Sequence, residues 1–125
     1  MNMMSFPSSW VICNEAKDWH DWLEANYLTK TEVWLQISKA HLKDVGIKID
    51  DAVEEAICFG WIDGKLNSLD KDKYILRFTP RRLDSLWARK NKKRAETLMA
   101  MGRMTEYGME KIRAAQKNGN WENAY

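Results

Sequence analysis

The sequence is short of the features that announce most function classes. No stretch approaches the roughly 18–20 consecutive apolar residues of a membrane-spanning helix, and residues 1–5 do not open a secretory signal. Only two cysteines occur, Cys13 and Cys58, without CxxC spacing. Cys58 sits in an apolar helical context and reads as a buried free thiol. Of the two histidines, His41 has no Cys, Asp or second His at ligand spacing, and His20 falls off the nearest apolar stripe as a plain surface residue. GxSxG, GxxxxGKS/T and HExxH are all missing, as are internal repeats, low-complexity tracts and domain linkers. These absences point to one cytoplasmic domain over 1–125, with no metal, no cofactor and no catalytic residue to name. An enzyme has no support in the motifs.

What the chain does have is aromatic bulk and an uneven charge. Hydrophobic residues make up 45% and charged residues 30% of 125, a globular balance that suits one modest core. Seven tryptophans occur, each a large apolar body with one N–H to satisfy, so several must build that core. The net charge of +2 conceals a basic block. Between Arg77 and Arg94 lie eight basic residues and one acid, Asp84, so the segment carries +7 and the remainder −5. Such a local field attracts anions far better than the total suggests.

Periodicity predicts an α+β domain: a small antiparallel sheet, one strand plus a β-hairpin, packed by about four helices. After loosely held early residues with a short strand near 10–12, Asn14 caps a helix over 15–26. Its face carries Ala16, Trp19, Trp22 and Leu23. Alternation over 32–38 gives a strand with Val33, Leu35 and Ile37 on one side. Asp50 or Asp51 caps a helix over 50–60, stopped by Gly60. Glu54 and Glu55 on it read as solvated; adjacent helical carboxylates do not converge as an acid/base pair. Residues 61–67 and 73–79 flank a turn at 68–72. Matching charge and apolarity pairs Leu66 with Tyr74, Gly64 with Leu76 and Ile62 with Phe78 on one face, and Asp63 with Arg77 and Trp61 with Thr79 on the other. Pro80 ends the hairpin, Asp84 or Ser85 caps a helix over 85–101, and Gly102 lies beyond it. Thr105 caps a last helix over 105–118, followed by Gly119, with Gly108 inside it at a cost of about 1 kcal/mol relative to Ala.

The stretch 61–91 organises the chain, and it carries a resemblance. The run Ala56-Ile57-Cys58-Phe59-Gly60-Trp61-Ile62-Asp63-Gly64 is followed by Tyr74, by Arg77-Phe78-Thr79-Pro80-Arg81-Arg82, and by Ser85, Trp87 and Asn91. These ordered blocks resemble the YdeI/OmpD-associated bacterial proteins, as does the tail Asn120-Trp121-Glu122-Asn123-Ala124-Tyr125. The likeness runs from Trp22-Leu23 to Tyr125. It implies a bacteriocin-protection or envelope-stress label and no established reaction. Two departures matter. Ala88 stands where family members usually carry Ser, and the chain stops before the further helical segment of longer relatives.

On the predicted third helix, Trp87, Asn91, Arg94, Ala95 and Leu98 share one face, and Arg89, Lys92, Lys93 and Glu96 share a solvated one. Asn91 and Arg94 interrupt an apolar stripe and so need hydrogen-bond partners, which Asp63, Arg77 and Thr79 are placed to supply. One reading is a structural network in which Asp63 pairs Arg77, leaving a protein-interaction module. A second starts from excess charge: Arg77, Arg81, Arg82 and Arg94 outnumber Asp63 and converge, with Ser85, on a helix N-terminus. Free N–H groups and forked guanidinium donors there, bordered by Trp61 and Trp87, make a pocket for phosphate or carboxylate. A third uses Arg81, Arg82, Arg89, Lys92 and Lys93 as contacts to a nucleic-acid backbone, weak and sequence-indifferent at most. The small anionic ligand is the reading preferred; oligomeric state is not indicated.

Overall fold

The hairpin supplies two of the three strands of a sheet on which the second helix packs, and the other three helices pack in turn against that helix. The computed structural model describes residues 6–125; residues 1–5 lie outside them. The order is α1 (Ala16–Asn26), β1 (Val33–Ser38), α2 (Ile49–Cys58), β2 (Trp61–Ser68), β3 (Lys73–Pro80), α3 (Arg89–Ala100) and α4 (Glu106–Asn118). The strands run in the order β1-β3-β2, antiparallel throughout, so the fold is α+β as expected. The early strand near 10–12 reduces to a single bridge, Val11 to Leu35. No described helix is long and apolar enough to cross a membrane.

The core lies on one face of this sheet. β1 turns Val33, Leu35 and Ile37 inward opposite Phe78, Leu76 and Tyr74 of β3. Trp19 and Leu23 from α1, with Val53, Ala56 and Ile57 from α2, cover them. Trp19 locks three elements at once: its indole N–H donates to Ala52 O at 3.0 Å and its ring tilts against Phe78 at 5.1 Å. Trp61, Trp87 and Trp121 are buried too, so the aromatic bulk goes where the composition places it.

The hairpin register differs from the expected one. Trp61, Ile62 and Asp63 oppose Pro80, Thr79 and Phe78, whereas Leu66, Asn67 and Ser68 oppose Leu76, Ile75 and Tyr74. Between them Gly64 and Lys65 together face Arg77, a β-bulge. The physical reason is Trp61, which is fully buried and takes the core face. Asp63, two residues on, follows it to that face, while Arg77 and Thr79 stand on the other with Trp34 and Ile62. Asp63 therefore does not pair Arg77. Arg77 bonds the exposed Glu32 instead.

Helix ends differ in instructive ways. Neither Asn14 nor Asp50 caps by its side chain; Glu15 and Lys48 hold those positions, and Asp18 instead accepts from the Asn14 N–H at 3.1 Å. α3 begins at Arg89, behind Ala88, four residues later than expected. Ser85 spends its hydroxyl on the Arg82 N–H at 2.8 Å, closing a turn rather than capping a helix. The Arg89 N–H finds the main-chain oxygen of Tyr125 at 2.6 Å. Thr105 does cap α4, accepting from the Gly108 N–H at 3.1 Å, and Gly119 ends it at φ 92°. Gly108 is there for space: a Cβ would sit 2.5 Å from Cys58 O, where the two helices touch.

Candidate functional site

Arg81 follows directly on β3, its N–H bonded to Gly60 O at 2.8 Å beside the start of β2. Its side chain is only 2% exposed and stacks on Trp87, 3.6 Å from the ring centre. Trp87 is fixed in turn by an edge-on contact with Trp121 at 5.0 Å. Burial lowers the guanidinium pKa to about 10, against the upward pull of Asp63 and Tyr125, so the group stays charged at neutral pH. Nη1 donates to Leu86 O at 3.1 Å. Nε and Nη2 have no acceptor among the described residues, and neither has the buried indole N–H of Trp61. Nε–H and Nη2–H form one edge of the guanidinium, a fork matched to a two-oxygen anion.

A cleft of about 270 Å³ opens between α2, β2 and the start of α3, lined by Ile49, Asp50, Val53, Asp63, Ala88, Lys90, Asn91 and Arg94; Arg81 is not among them. Arg94 is held in place from two sides: Nη1 donates to Asn91 Oδ1 at 2.9 Å and Nη2 to Asp50 Oδ1 at 2.5 Å. The bulged strand puts Asp63 here, and one turn of α3 puts Lys90, Asn91 and Arg94 together.

The expected site thus divides. Asp63, Asn91 and Arg94 meet in the cleft, and Arg81 lies buried on Trp87, with Trp61 buried at the adjoining strand start. Arg77 and Thr79 are on the opposite sheet face, and Arg82 points outward to the exposed Asp84. Ser85 is consumed in its turn. Of the five residues expected to contact a nucleic-acid backbone, Arg82, Arg89 and Lys93 are exposed and Lys92 is half-buried. Arg81 is buried, Arg89 Nε donates to Ala124 O, and Lys92 Nζ donates to Trp121 O.

A second polar cluster escaped the sequence reading. Glu55 is 8% exposed rather than solvated, and its carboxylate accepts from Arg103 at 2.7 Å while His20 Nδ1 lies 2.8 Å away. His20 is accordingly no plain surface residue; its ring also meets Phe59 edge-on. One signal was available: His20 and Glu55 each border the apolar stripe of its helix. Nearby, His20, Asp21 and Glu24 bring donor atoms within 4.8 Å of one another, but both acids are exposed and Glu55 already engages His20. His41, read as an isolated loop residue, sits 2.8 Å from Asp72 on the surface. Both cysteines are buried and unbridged, with burial first among the causes that push each thiol up to about 11.

Fold and cleft together define a small α+β domain with a charged, partly buried polar corner and no recognisable catalytic constellation among its described residues. Residues 11–111 match a family described as a domain of unknown function (DUF8412), and the chain belongs to that family. No curated protein matches the chain, and no solved structure does.

Proposed function

We propose that the domain is a cytoplasmic small-ligand-binding protein whose ligand presents a carboxylate or phosphate to Arg81. The observation that carries this reading is the pair Nε–H and Nη2–H, buried, charged and without an acceptor among the described residues. Buried polar groups in native proteins are nearly always hydrogen-bonded, and a charged one more strictly so. Arg81 is 2% exposed and does not itself line the cleft, so the ligand reaches it from the Asp63 side, whose charge is felt at Arg81, by opening of the corner between them. Lys90, Asn91 and Arg94 then contact the rest of the molecule. The resemblance to YdeI/OmpD-associated proteins would set this binding in stress or bacteriocin tolerance.

The test is a thermal-shift panel of small carboxylates, phosphates and nucleotides at low concentration. A true ligand at one hundred times its Kd adds about 2.7 kcal/mol of stability by mass action, several degrees for a chain of this length. Sulfate stabilises by exclusion from the surface without saturating, so saturation is the criterion. Asn91→Ala should weaken the saturable shift and keep the sulfate effect. Equal shifts in parent and variant across the panel would remove the cleft from the account.

A further inference from the structure

We propose that a second groove, between α2 and the far half of α3, binds a small amphipathic anion: a charged head with a short apolar tail. This site goes beyond the cleft at Asp63, although Lys90 and Arg94 form a shared wall. The groove holds about 260 Å³ and is lined by Lys90, Lys93, Arg94, Leu98, Met101 and Arg103. Glu54 is the one acid on its lining, against four cations. That volume lies just under the roughly 300–1,000 Å³ of ligand pockets, which restricts the occupant to a fragment.

Helix geometry makes the two halves of the site. Lys90, Lys93, Arg94 and Leu98 recur at three- and four-residue spacing, so the cations and the apolar floor lie along one strip of α3. Beyond Leu98, Met101 is 61% exposed at the groove, a flexible and polarisable side chain where a tail would lie. The far wall is built by the helix ending. Gly102 turns at φ 73°, its N–H bonds Met99 O, and the Arg103 N–H bonds Leu98 O, which folds Arg103 back towards α2. Glu55 then holds its guanidinium at 2.7 Å, with Glu54 at 3.9 Å.

Charge decides the polarity of the ligand. Arg94 and Arg103 are steadied by Asp50 and Glu55, which lie outside the groove's lining, whereas Lys90 and Lys93 have no carboxylate partner among the described residues. The open charge is therefore at the Lys end and the apolar surface at the Leu98–Met101 end. A head group on the lysines with a tail towards Met101 satisfies both.

The experiment titrates the full chain with hexyl phosphate and, separately, inorganic phosphate, following backbone amide shifts. The expected result is saturable change at Lys93, Leu98, Met101 and Arg103. Hexyl phosphate should bind at least about tenfold tighter than phosphate, the return from burying roughly two methylenes. Lys93→Gln with Met101→Gln, both changes of surface side chains, should cancel that preference and leave the remaining spectrum intact. Equal binding of the two probes, changes elsewhere only, or no saturable change overturns the proposal. So does binding of a single-stranded oligonucleotide along these residues with no response to hexyl phosphate, which would make the groove a polynucleotide track.

Discussion

Arg81 rests on Trp87 at 3.6 Å, and the stack accounts for one face of a guanidinium whose edge is unsatisfied. A desolvated cation–π contact returns about 2 kcal/mol, while burying an ion costs several. Leu86 O adds one charge-assisted hydrogen bond. On these magnitudes the buried, incompletely paired Arg81 costs the fold stability, which is what supports the proposed ligand contact.

Gly108→Ala should destabilise by about 1–3 kcal/mol. Helix propensity alone predicts a gain of about 1 kcal/mol, so the sign is diagnostic. The new methyl would meet Cys58 O at 2.5 Å and Met104 Sδ at 2.6 Å, and the carbonyl is backbone that cannot step aside. Urea melts of parent and variant decide it.

Glu55→Ala should cost about 1–2 kcal/mol, because it strips Arg103 and His20 of a shared, nearly buried partner. The figure is well below the 3–5 kcal/mol of a fully buried pair, since Arg103 is about one-third exposed. Glu54→Ala, whose contact with Arg103 is 3.9 Å, should stay within about 0.5 kcal/mol. Equal effects from the two would return both carboxylates to solvent.

Thiol chemistry gives a pH test. With both pKa values near 11, the folded protein at pH 8 holds about a hundredfold less thiolate than a thiol at 9.0, before access is counted. Iodoacetamide should label Cys13 and Cys58 only after unfolding. A folded pKa raised above the unfolded 9.0 contributes stability that is full below pH 9 and lost as pH climbs towards 11. Parent stability should fall across that window, and Cys58→Ala should fall less steeply.

Local chemistry was legible from the sequence wherever neighbours along the chain decide the outcome. Alternation at Val33, Leu35 and Ile37, the Thr105 cap and the Gly119 stop depend on nothing distant. What failed depends on pieces far apart. The bulge at Gly64–Lys65 follows from Trp61 claiming the core, and it alone moved Arg77 and Thr79 away from Asp63. α3 starts late because Ser85 turns back to Arg82 and Tyr125 receives the Arg89 N–H. Glu55 is buried because α1 and the turn after α3 close over it with His20 and Arg103. Asn91 and Arg94 do line the cleft, as helical spacing suggests, but they bond each other and Asp50 rather than the expected Asp63, Arg77 and Thr79, because those partners depend on how distant elements pack.

The central claim is that Arg81 is retained for a ligand, and the most direct measurement is equilibrium urea unfolding of Arg81→Met against the parent, with no ligand added. Methionine fills much of the same volume over Trp87 without charge or unmet donors. The account predicts a variant within about 1 kcal/mol of the parent or more stable by up to about 4 kcal/mol, as when buried ionic groups give way to apolar ones. A loss of about 3–5 kcal/mol, the mark of a broken buried pair, would mean that Arg81 serves the fold and would contradict the account.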